Sequence, residues 1–257
     1  MAEKSKLKNV ISDESSDEER QPATDLDLPF DKLNLGPQKK LLVLCLGGLL
    51  VHRLHVRGKA SIRGLRPDIF HGSFLVFKRP FCTEFLKFCF ERFEVGLWSS
   101  AVNHNVGAVL SEITGGTGSN FLFVWGQEEC TDSGFGCLHK KHKPCSERTE
   151  IPVGKKKYYK EKYSASNTLL IDDEPHKCLI NPPNTAIFPH PYRKHDTNDS
   201  FLGPNGELCK FLDGLSDAKD VPSYVKDHRI GQPAITPSHP DWSYYAKIVG
   251  HFDRRGD

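Results

Sequence analysis

At 257 residues the chain is long enough for one sizeable α/β domain with tails, and two full domains would be cramped. Its 35 basic and 33 acidic side chains leave a net charge of +2, which excludes a global pull toward nucleic acid or a membrane surface and leaves any such attraction to local clusters. The longest apolar run, Leu41 to Val51, falls well short of the roughly 20 residues that a bilayer-spanning helix needs.

Residues Met1 to Pro37 lack apolar periodicity and are rich in Ser, Asp, Glu and Lys, so they bury too little surface to offset their ordering entropy and read as a disordered acidic tail. The stretch Ser12 to Glu19 is acidic where a secretory signal would be apolar and a transit peptide arginine-rich. Ser12, Ser15 and Ser16 each precede acidic residues, a context that acidophilic kinases favour, although a plain solubilising tail accounts for the composition as well. The eight cysteines are scattered, several inside apolar segments (Cys45, Cys82, Cys89), a pattern of reduced thiols in an intracellular protein.

From Lys39 the chain alternates strand, turn and helix, which predicts a parallel sheet with crossover helices. Leu41 to Leu46 is continuously apolar and reads as a central strand covered on both faces, broken by Gly47-Gly48. Leu49 to Arg57 and Phe74 to Phe77 are expected to form an antiparallel flap. Lys78-Arg79-Pro80 opens a helix, with Pro80 in its first turn and Phe81, Phe85, Leu86, Cys89 and Phe93 on its core face. Glu94 to Trp98 is the next strand, Asn103 to Thr114 a helix closed by Gly115-Gly116, and Phe121 to Trp125 a further strand.

Residues Gln127 to Thr149 form a polar loop dense in Cys, His and Lys. Cys130, Cys137 and Cys145 with His139 and His142 have enough ligands for zinc, but their spacing matches no standard finger and an ordinary loop is the preferred reading. Lys155 to Lys162 reads as a short basic helix, Thr168 to Ile171 and Asn184 to Phe188 as strands, and Gly206 to Asp227 as a helical region interrupted by Pro222. Beyond Gly231 a Pro-containing tail carries Trp242, Tyr244 and Tyr245, which are expected to pack back on the domain.

In an open parallel sheet, ligands bind at the carboxyl ends of the strands, and three such ends carry polar candidates. Cys45 to Gly48 is a glycine turn whose amides can face an anion, Ser99 supplies a hydroxyl, and Asp172 and Asp173 supply carboxylates for a hard cation.

The segments Lys40 to Leu44, Lys78 to Pro80, Glu94 to Ala101, Cys130 to Asp132, Asn167 to Pro175, Asn181 to Pro189 and Asp220 to Lys226 together resemble the haloacid-dehalogenase phosphatases that act on the C-terminal domain of RNA polymerase II. This is the NLI-interacting-factor-like family, and the segments look like its plant branch. The resemblance implies a haloacid-dehalogenase-like parallel sheet with flanking helices and a small β flap. It places a phosphatase-like (FCP1-homology type) domain over residues 38–232, between the tail 1–37 and a C-terminal tail 233–257.

It also implies Mg²⁺-dependent hydrolysis of phosphoserine or phosphothreonine in proteins, with an Asp-x-Asp pair as nucleophile and acid/base. Here the nucleophile position is Cys45 and the acid/base position Gly47. Ser99 matches the phosphate-binding hydroxyl, and Lys156 most nearly the phosphate-binding lysine, with Lys155 or Lys157 taking that role if the loop is shifted. Asp172 and Asp173 match the late acidic pair of a Mg²⁺ site that loses strength when sulfur replaces oxygen.

The expectation is a degenerate phosphatase that binds protein partners, phosphorylated ones among them, in the nucleus or cytosol, with no nucleic acid and no membrane span. One alternative is a working Mg²⁺-dependent phosphatase. Another is a binding component resembling the presequence-receptor subunit of the mitochondrial translocase.

Overall fold

A computed structural model of the chain describes residues 38–58, 64, 66–115, 120–132, 150–151, 162–194, 196 and 198–254. The acidic tail, the lysines at 155 to 157 and the loop holding Cys137, His139, His142 and Cys145 lie outside the described residues. In chain order the elements are β1 (Leu41–Cys45), β2 (Val51–His55), β3 (Ile69–His71), β4 (Phe74–Lys78), α1 (Cys82–Arg92), β5 (Glu94–Trp98), α2 (Asn103–Ile113), β6 (Phe123–Trp125), β7 (Thr131–Asp132), β8 (Glu150–Ile151), β9 (Thr168–Ile171), β10 (Ala186–Ile187), α3 (Glu207–Asp217), α4 (Val221–Asp227) and α5 (Trp242–Asp253).

β1 is central, as its unbroken apolar run requires. The five-stranded sheet has the order β10-β9-β1-β5-β6 and every pairing in it is parallel. Alternate residues of β1 serve opposite faces. Leu42 and Leu44 enter a core shared with α1 to α4, while Leu41 and Val43 meet Phe123, Trp125, Tyr163 and Leu170. Each such leucine removed from water contributes about 1.5–3 kcal/mol, which fixes the strand between the two layers. Gly96 in β5 admits the Phe123 ring against the backbone, since a β-carbon there would fall inside that ring.

The flap is the antiparallel sheet β2-β4-β3, with β3 an addition to the two strands expected. Its base is pinned by Arg79. That side chain is 5% exposed, forms two-pronged bonds to Asp199 at 2.8–3.1 Å and lies 4.7 Å from the Phe201 ring.

Three local expectations are corrected. α1 begins at Cys82, so Pro80 precedes the helix; Phe81 caps it in a left-handed conformation (φ 64°) and is exposed, away from the core. Pro222 lies in the first turn of α4, where the missing N–H costs nothing, and the break falls instead at Ala218 to Asp220, with the Asp220 carboxylate accepting a bond from the Ser223 N–H. Residues Trp242 to Asp253 of the expected tail form a helix, and Tyr245, Ile248 and Phe252 pack against Leu179 and Ile180.

Candidate functional site

The register of the sheet brings the predicted strand ends together. Cys45 pairs with Trp98 across β1 and β5, and Leu44 with Ile171 across β1 and β9, so Cys45, Ser99 and Asp172 emerge side by side. They line an open cleft of ≈ 240 Å³ at the carboxyl edge of the sheet, with Gly47 and Asp173 in its wall. Lys155, Lys156 and Lys157, one of which is expected to bind phosphate, lie outside the described residues.

Cys45 is 3% exposed, and its Sγ lies 3.3 Å from the Gly47 carbonyl oxygen and 3.8 Å from Asp173 Oδ1. Burial first, and then the carboxylates of Asp172 and Asp173, push its thiol well above the ordinary cysteine value. At neutral pH it is therefore a thiol and a weak nucleophile.

In the glycine turn the Gly48 N–H donates to the Val51 carbonyl at 2.9 Å, so that one amide is used within the turn. Gly48 has φ +74°, and a β-carbon on it would fall inside the Asp173 carboxyl, so this position needs glycine on both counts. Ser99 lines the cleft, and its Oγ accepts a bond from the Ala101 N–H at 3.1 Å.

The acidic pair is held from two sides. Asp172 is almost fully buried, and its Oδ1 accepts the Glu174 N–H at 2.9 Å. The Asp173 carbonyl accepts a bond from Gln232 Nε2 at 2.9 Å, and the same amide group also donates to the Pro189 carbonyl at 3.1 Å. Burial followed by the charge of Asp172 raises the Asp173 carboxyl to about 7. Burial raises Asp172 as well, against the opposing charge of Lys177.

Lys177 is the residue that sequence reasoning missed. Its Nζ lies 3.3 Å from both oxygens of Asp172 and 2.8 Å from Glu174 Oε2. Burial works against the ammonium, yet Asp172 and Glu174 outweigh it and hold the amine well above the ordinary lysine value. The signal was Pro175, which opens a 3-10 turn over Pro175–Cys178 and returns residue 177 onto 172 and 174. The exposed Arg53 and Arg193 also line the cleft.

One thiol and two carboxyls, from Cys45, Asp172 and Asp173, offer ligand atoms within 4.8 Å of one another. Among the described residues no helix is long and apolar enough to cross a membrane.

Residues 40–222 match the family model of the NLI interacting factor-like phosphatases. No curated protein gives a significant match. Among solved structures, the chain is similar to a beryllium-fluoride-bound variant of the fission yeast RNA polymerase II CTD phosphatase Fcp1, at 16% identity and a TM-score of 0.41, covering 69% of this chain and 50% of that one. A second structure, of Fcp1 as an essential RNA polymerase II CTD phosphatase, gives 14% identity and a TM-score of 0.39, covering 82% of this chain and 62% of that one. The chain thus spans between half and two thirds of the length of these relatives.

Proposed function

The chain belongs to the NLI interacting factor-like phosphatase family, and we propose that within it the protein is a non-catalytic member that binds protein partners carrying phosphoserine or phosphothreonine. The observation that carries this reading is the protonated, buried Cys45 thiol at the nucleophile position, with Gly47 in place of a proton donor. Loss of general acid help alone removes about 10²- to 10⁴-fold in rate.

The residues at the cleft also fit Mg²⁺ poorly. A hard dication seeks oxygen ligands in near-octahedral geometry, whereas here a thiol replaces one donor and Asp172 is already paired with Lys177. Ser99 with Arg53 and Arg193 at the cleft offers the hydroxyl and guanidinium donors that a phosphorylated side chain takes. The buried thiols of Cys45, Cys82, Cys89 and Cys209, all unbridged, favour a reducing compartment, nucleus or cytosol.

The reading is tested by measuring binding of phosphoserine peptides and their unphosphorylated counterparts to the full chain. Phosphate-dependent binding weakened roughly tenfold by Arg193→Ala, about 1.4 kcal/mol, is expected for a lost charge-assisted contact. Equal binding of both peptide forms would show that the cleft reads no phosphate.

A further inference from the structure

The carboxyl pair at the end of β9 already has a cation. We infer that the Lys177 ammonium is the resident cation of this cleft, occupying the charge position at Asp172 that a divalent metal would otherwise fill, so that the site is ordered and operates without metal. Lys177 touches both oxygens of Asp172 at 3.3 Å and Glu174 at 2.8 Å, and its side chain is 15% exposed. That is a built pair and not a surface encounter, for three reasons.

The turn opened by Pro175 aims the lysine inward, with the Lys177 N–H bonded to the Glu174 carbonyl at 3.1 Å. Glu174 supplies a second carboxylate to the same ammonium, so the lysine is anchored at two points. The next residues of the chain, Leu179 and Ile180, are packed under α5, which fixes the far end of the turn. A dication bound by Asp172 would have to sit beside this ammonium, where like charges repel.

The inference deepens the reading above, because a cleft with a covalently attached cation would hold a phosphorylated side chain in the presence of a chelator. It is tested without any phosphopeptide, by following thermal unfolding of the metal-free full chain as Mg²⁺ or Mn²⁺ is added to about 5 mM, since any ion that binds only the folded state raises the Tm. The native chain is expected to show no shift with either ion. Lys177→Ala, which frees Asp172 and Glu174, is expected to gain a rise of about 3 °C or more with Mn²⁺, and Lys177→Arg, which keeps the charge, to stay insensitive.

A Mn²⁺-dependent rise in the native chain that Asp172→Asn abolishes would overturn the inference, and this arm needs no lysine variant to fold. So would a folded Lys177→Ala chain that gains nothing. Phosphopeptide binding is a separate measurement, so failure there defeats the proposed function and leaves the lysine result standing.

Discussion

Asp173 lies over the α-carbon of Gly48 with its acid neighbour Asp172 beside it, and its titration carries a stability consequence. Its folded pKa, about 7, exceeds the ordinary aspartate value, so between about pH 4 and 7 the folded chain holds a proton that the unfolded chain has released. The stabilisation from this group is complete below about pH 4 and is lost as pH rises through 7. Asp173→Asn removes the effect, so native stability relative to that variant should fall from pH 4 to 7 by a few kcal/mol, on the order of 3. Denaturant unfolding of both chains at several pH values measures it, and parallel profiles would contradict it.

The same residue shows what the sequence disclosed. Asp172 and Asp173 were legible as a site because they end an apolar strand, whereas the lysine that neutralises Asp172 was not, because Lys177 meets it only through a proline-started turn. Three lysines in a row at 155 to 157 are the more conspicuous basic signal, and local composition does not say which lysine a turn will aim inward.

Among elements, the junction of β4 and α1 carries a buried ion pair. Arg79 and Asp199 are 5% and 9% exposed, and the Arg79 N–H and guanidinium also reach the Leu50 and Leu49 carbonyls. Removing one partner of such a pair leaves a buried charge, at a cost of about 3–5 kcal/mol. Arg79→Met should therefore lower the Tm by about 10 °C, measured by calorimetry. A change within about 2 °C would mean that the flap is held by its apolar contacts alone.

The strands β5 and β9 were legible to the residue and β1 to within one residue, since each is a short, mostly apolar run bounded by polar or glycine residues. The helix starts were less so. Phe81 has the right spacing for the core face of α1 but stands outside it, because the cap takes a left-handed turn that periodicity does not encode. β3 was missed because three residues, of which Phe70 is exposed, carry no alternation long enough to read.

At the scale of the molecule, the family match ends at residue 222, yet the segment beyond it reaches the site. Gln232 holds the Asp173 carbonyl, and α5 covers Leu179 and Ile180 behind the turn that bears Lys177. A sequence reading assigns such a segment to a tail because Pro233, Pro237 and Pro240 interrupt any period before Trp242. The helix forms where Tyr245, Ile248 and Phe252 pack against Leu179 and Ile180, just beyond the Pro175–Cys178 turn.

The described residues thus form a parallel sheet whose carboxyl edge carries a buried thiol, Gly47 and an internal ion pair, and the proposed function reads that edge as a cleft that binds a phosphoester without cutting it. The most direct measurement is release of inorganic phosphate from an aryl phosphate and from phosphoserine peptides by the purified full chain, with and without Mg²⁺. The account predicts no release above that of the Cys45→Ala chain under either condition. Turnover at an ordinary enzymatic rate, about 1 s⁻¹ or faster, that disappears in Cys45→Ala would contradict it.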